Sequence, residues 1–81
     1  MTVLREYDCV RVAKLLRPNR EFDGTEGVRR PPRIGDLAII VHEYHIDDPT
    51  AIVAVEKVND DGYTVWFADF DRDELEFVSR P

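Results

Sequence analysis

At 81 residues the chain has room for one hydrophobic core and not for two, and a domain this small buries only about 60–65% of its unfolded surface, which disfavours an enclosed catalytic cleft. Its single cysteine, Cys9, excludes an internal disulfide, a two-thiol redox pair and a thiolate-rich zinc site. The net charge of −6 is unevenly spread: residues 1–35 carry eight basic and five acidic side chains, residues 36–81 three basic and twelve acidic, so the second half repels phosphate backbones and attracts a basic partner.

The first predicted strand lies in 7–12, where Val10 and Val12 fall on one face and Cys9 and Arg11 on the other. Residues 13–16 extend it or form a helical turn, which Pro18 ends. Residues 17–33 hold two glycines, three prolines and only two large apolar side chains, Phe22 and Val28. This is a long loop, and loops beyond about 12–15 residues in a compact domain tend to be functional or mobile.

A turn at 34–36 opens a β-branched run through residue 44, predicted as the central and most buried strand. Asp47-Asp48-Pro49 supplies a turn and 51–58 a third strand. Asn59-Asp60-Asp61-Gly62 is the strongest short-range signal in the chain, because Asp-Gly between two alternating apolar segments meets the positive-φ demand of a tight hairpin turn. In the fourth strand, 63–70, Tyr63, Val65 and Phe67 share one face and Thr64, Trp66 and Ala68 the other. Taking the first set as core turns Trp66 outward. Asp71-Arg72-Asp73-Glu74 reads as a short 3₁₀ or helical turn before a last strand holding Leu75, Phe77 and Val78. The expectation is one all-β domain over residues 1–81, a small five-stranded, closed or nearly closed barrel.

Five elements occur in order: Tyr7-Asp8-Cys9-Val10-Arg11, a loop, Gly35 to Val41 with Tyr44, Asp61-Gly62, and Asp73-Glu74-Leu75-Glu76-Phe77-Val78. Their succession resembles the small bacterial family known as domain of unknown function 4926. The resemblance implies an SH3-like barrel, transfers no catalytic residue, and suggests an immunity role because members of that family are thought to include neighbours of toxin domains. The chain departs from the family pattern in its longer, Arg- and Pro-rich loop at about 17–33, where partner-specific function is expected.

No chemistry-bearing constellation emerges. His42 and His45 are three apart, which on a strand sends them to opposite faces rather than to one metal. Ser79 and Cys9 lack the base of an activated nucleophile. The predicted protein is therefore no enzyme, with no catalytic, cofactor or metal residues. It is a cytoplasmic binding module, since no apolar run approaches the roughly 18 residues of a membrane span and the N-terminus lacks a signal pattern.

The predicted partner surface joins aromatics Tyr44, Trp66 and Phe70 to the carboxylates Asp60, Asp61, Asp69, Asp71, Asp73 and Glu74. Such a surface suits a basic protein, as in an immunity or antitoxin-type inhibitor of a toxin. The alternatives are an RNA- or ribosome-associated barrel using Arg29, Arg30 and Arg33, opposed by the acidic second half, and an accessory subunit of an enzyme complex. Exposed edge strands leave a monomer or weak homodimer open.

Overall fold

A computed structural model describes residues 2–81. Strands β1 (Cys9–Val12), β2 (Leu37–Glu43), β3 (Val53–Val58), β4 (Thr64–Phe70) and β5 (Leu75–Ser79) form one antiparallel sheet in the order β4-β3-β2-β1-β5, with a 3₁₀ turn at Arg72–Glu74 before β5. The fold is all-β, a small SH3-like barrel with a long first loop and a 3₁₀ turn before the last strand.

Local chemistry explains where the strands begin and turn. Tyr7 takes a left-handed φ of 74°, so β1 starts only at Cys9. Gly35 (φ 95°) supplies the turn into β2, and Gly62 (φ 86°) the hairpin between β3 and β4. The Asn59 side chain caps that hairpin by accepting the Asp61 and Tyr63 amides. β2 is the central strand, but it is buried on one face only: Ala38 and Ile40 point inward while Leu37 and Ile39 are exposed.

Register with β3 reverses the expected faces of β4. Val53 and Val55 are buried and stand opposite Phe70 and Ala68, so Trp66, Ala68 and Phe70 form the inner row. Trp66 is 0% exposed and packs 5.3 Å from Phe70, centroid to centroid, in a core completed by Val10, Val12, Ile40 and Leu75. Strict alternation identifies two faces without saying which is inside; the largest ring takes the interior because it buries the most area. Phe67 and Asp69 consequently face outward. Val65, on that same outer row, is buried as well.

The long loop explains Val65. Asp23 and Phe67 exchange backbone hydrogen bonds of 2.9 and 2.8 Å, the Thr25 amide donates to Thr64 O, and the Arg30 amide donates to Val65 O. Residues 23–30 thus run along β4 and occupy hydrogen-bonding groups that an edge strand would leave open. Gly24 permits this approach: a methyl group there would lie 2.6 Å from Arg29 Cβ and 2.7 Å from the Val65 carbonyl oxygen. The loop is a structural wall of the barrel.

Because Trp66 fills the core, Trp66→Ala is expected to cost about 3–5 kcal/mol of stability, read as a large drop in the urea midpoint. Retention of native stability would contradict this placement.

Candidate functional site

Ion pairs account for much of the charge seen in the sequence. Arg11 pairs with Glu76, Arg17 with Asp71, Arg20 with Glu74, Arg30 with Asp36 and Arg80 with Asp8. Each joins the basic first part of the chain to the acidic second part, or the reverse for Arg80. The acidic second half is therefore not a continuous acidic surface.

Four of the carboxylates are pulled inside and clamp loops. Asp36 accepts both terminal nitrogens of Arg30 at 2.9 Å, Trp66 Nε1 at 2.9 Å and the Arg33 amide at 2.9 Å. Burial pushes its pKa up, but these donors outweigh burial and hold it at about 2. Glu74, fully buried in the 3₁₀ turn, accepts from Arg20 and from the Leu16 and Asp71 amides. Again burial opposes ionisation, and the Arg20 guanidinium and the two amides win, lowering its pKa.

Asp8 is held below the usual range chiefly by Arg80, against burial, with help from the Arg5 amide. Glu43 is also lowered: the Glu6 amide and Arg72 overcome its burial. Arg72 further donates to the Ala51 and Leu4 carbonyls, fastening the β2–β3 loop and the N-terminal segment together.

Outside these clamps, a trough of about 510 Å³ lies between residues 20–29 of the long loop and the outer face of β4. Phe22 and Arg29 come from the loop, Phe67 and Asp69 from β4, and Tyr44 from the residue following β2. Phe67 is 37% and Tyr44 44% exposed. The Tyr44 hydroxyl donates to Asp69 Oδ1, a bond that raises the phenol pKa, and the Tyr44 ring stands edge-on to His42 at 4.9 Å. Glu21, Asp23 and Asp69 line the same trough, are exposed, and enter no ion pair among the described residues. The arrangement offers aromatic faces beside unneutralised carboxylates.

The predicted partner residues are scattered by this geometry. Tyr44 and Asp69 meet in the trough. Asp60 and Asp61 sit exposed in the hairpin at the opposite end of β4. Asp73 is exposed beside a separate hollow lined by Val3, Leu4 and Phe77, and Asp71 is half-buried against Arg17. Trp66, Phe70 and Glu74 do not belong to a surface: all three are 0% exposed, the rings because they fill the core and Glu74 because it clamps the loop. The predicted arginine patch is likewise divided. Arg30 is locked on Asp36, Arg29 lies over the Phe22 ring at 4.7 Å, and Arg33 is exposed with no side-chain partner among the described residues.

Sequence reasoning missed Glu21, Phe22, Asp23 and Phe67 as site residues, and named Arg29 only for the alternative arginine patch. The available signal was Phe22 itself, an aromatic between two acidic residues in a loop whose length already marked it. Among the described residues no group of three or more His, Cys, Asp or Glu side chains is placed to hold a metal ion, and no helix is long and apolar enough to cross a membrane. Fold and trough together define an SH3-like barrel with an acidic, aromatic outer face. Comparison with protein-family models, curated proteins and solved structures finds no match.

The clamps set an acid limit on stability. All four carboxylates ionise more readily in the folded state than at the ordinary values of 3.8 for Asp and 4.5 for Glu. Their stabilisation is present above those values and is lost as pH falls through the lower folded ones. For Asp36, 10% exposed and shifted from 3.8 to about 2, the contribution is about 2 kcal/mol. Urea titrations from pH 6 to 2 should show falling stability, with an acid limb shallower by about that amount in Asp36→Asn; an identical limb in the variant would contradict the clamp.

Proposed function

We propose that this protein is a non-catalytic protein-binding module that holds a basic partner through the trough beside β4. The observation that carries the reading is the juxtaposition of two exposed aromatic rings, Tyr44 and Phe67, with three carboxylates, Glu21, Asp23 and Asp69, that enter no ion pair among the described residues. Rigid aromatics contribute contact area at low entropic cost, and unpaired carboxylates steer and orient a cationic surface. Because the loop is hydrogen-bonded along β4, one wall of the trough is formed before binding, which lowers the ordering cost of association.

Within that reading we place the protein in the cytoplasm as an immunity or antitoxin-type inhibitor of a basic toxin domain. The resemblance of its ordered motifs to domain of unknown function 4926 supports this placement by likeness only. In this chain those motifs also have a role independent of any partner: Tyr7 and Gly35 make turns, Asp8 and Glu74 are buried clamps, and Gly62 makes the hairpin. The RNA reading loses its main support, because Arg30 is committed to Asp36 and Arg29 stands among carboxylates.

Capture from host lysate, followed by titration of the purified partner, tests the proposal. A basic protein retained after nuclease treatment is expected, and Phe67→Ala or Asp69→Lys should weaken its binding at least tenfold, about 1.4 kcal/mol, in variants with unchanged thermal midpoints. Charge reversal at Asp60 and Asp61 should leave affinity nearly unchanged. Wild-type affinity in folded Phe67→Ala and Asp69→Lys, or retention of RNA alone, would sink the reading.

A further inference from the structure

If the trough holds a protein partner, as proposed above, its own residues indicate which side chain of that partner it takes. Arg29 extends from the loop so that its guanidinium lies 4.7 Å over the Phe22 ring and donates to the Phe22 carbonyl at 3.3 Å. Unlike Arg20 and Arg30, which are neutralised by Glu74 and Asp36, Arg29 enters no ion pair among the described residues although Glu21, Asp23 and Asp69 line the same trough. It is also exposed, and the 3.3 Å bond is long. A cation resting on an aromatic face, tethered by one long hydrogen bond and fixed by no ion pair among the described residues, is readily displaced.

The chemistry favours a guanidinium over an ammonium as the incoming group. A guanidinium is planar, stacks on an aromatic ring while its edge donates to a carboxylate, and is less strongly hydrated than an ammonium. The same stacking recurs in this protein with Arg20 over Phe70 at 3.9 Å and Arg80 over Phe77 at 5.4 Å. Acceptors are at hand: Asp69 gives one oxygen to Tyr44 and its second has no hydrogen-bond partner among the described residues, while Glu21 and Asp23 flank Phe22 in the chain.

We infer that the trough takes an arginine side chain of the protein partner, and that Arg29 is a resident competitor which the partner's arginine displaces from Phe22. Charge complementarity and the exposed rings of Phe67 and Tyr44 define the occupant. Removing Arg29 deletes the competitor and one positive charge, so it strengthens binding, whereas a residue belonging to the recognition machinery would weaken it on removal.

The test is an amide chemical-shift titration of the wild type and of Arg29→Ala with a capped Gly-Gly-Arg-Gly-Gly peptide and its lysine counterpart. Arg29→Ala keeps the Cβ that packs near Gly24 and removes the contacts of the guanidinium with Phe22, so away from Phe22 the variant spectrum should match the wild type. The expected result is shifts at the Phe67 and Asp69 amides, about threefold tighter binding of the arginine peptide than of the lysine peptide, and a further tightening of about threefold in Arg29→Ala. Equal affinity for the two peptides, or unchanged or weaker binding in Arg29→Ala, overturns the arginine assignment while shifts at Phe67 and Asp69 leave the acidic binding surface standing. No shift at those amides with either peptide in either protein overturns both.

Discussion

The carboxylate of Asp36 is the interaction on which the rest of the structure depends. It stands at the start of β2 and accepts hydrogen bonds from the Arg30 guanidinium, the Trp66 indole and the Arg33 amide. One group thereby ties the end of the long loop to the largest ring in the core. Burying a carboxylate is costly unless its lone pairs are filled, and here four donors fill them. The loop's backbone bonds to β4 and the close approach at Gly24 extend from that anchor. Without the loop on β4 there is no wall carrying Phe22 and Arg29, and so no trough.

The distribution of charge follows the same logic. Basic side chains early in the chain fold onto acidic ones late in it, and the most buried of these pairs fix segments that regular secondary structure does not hold: Glu74 the residues after β1, Asp8 the chain's end, Glu43 the β2–β3 loop through Arg72. Breaking such a pair leaves a buried charge uncompensated, which costs about 3–5 kcal/mol. The carboxylates left over, rather than the full count of seventeen acidic residues, decide what the outside attracts. Among them, Glu21, Asp23 and Asp69 line the trough together with the exposed rings of Tyr44 and Phe67.

Much of the fold was legible in the sequence because it is written in local terms. Alternation at Val10 and Val12, the Asp61-Gly62 hairpin and the polar turn at 71–74 each rest on neighbours in the chain, and each appears where expected. The face of β4 was not legible. Val65 and Phe67 alternate with Trp66 and Ala68 equally well in either orientation, and the choice is made by pairing with Val53 and Val55 and by a loop some forty residues earlier that buries Val65 from outside. That single inversion moved Trp66 from the predicted surface to the core and brought Phe67 out in its place. The ion pairs escaped for a related reason: linkages such as Arg20 with Glu74 span 54 positions, and spacing alone assigns no partner at that distance. Tyr44 and Asp69, 25 positions apart, were both named from the sequence, and the fold brings them together.

The central claim is that the long loop is a fixed wall of the barrel before any partner arrives, and native-state hydrogen exchange tests it most directly. The amides of Asp23, Thr25 and Arg30, which donate to Phe67, Thr64 and Val65, should be protected to a degree comparable with amides in β4 itself, because they open only when the loop leaves the sheet. Exchange of those three amides near the rate of an unstructured chain, while β3 and β4 remain protected, would contradict the account: the loop would then be a mobile excursion, and the trough would not exist in the free protein.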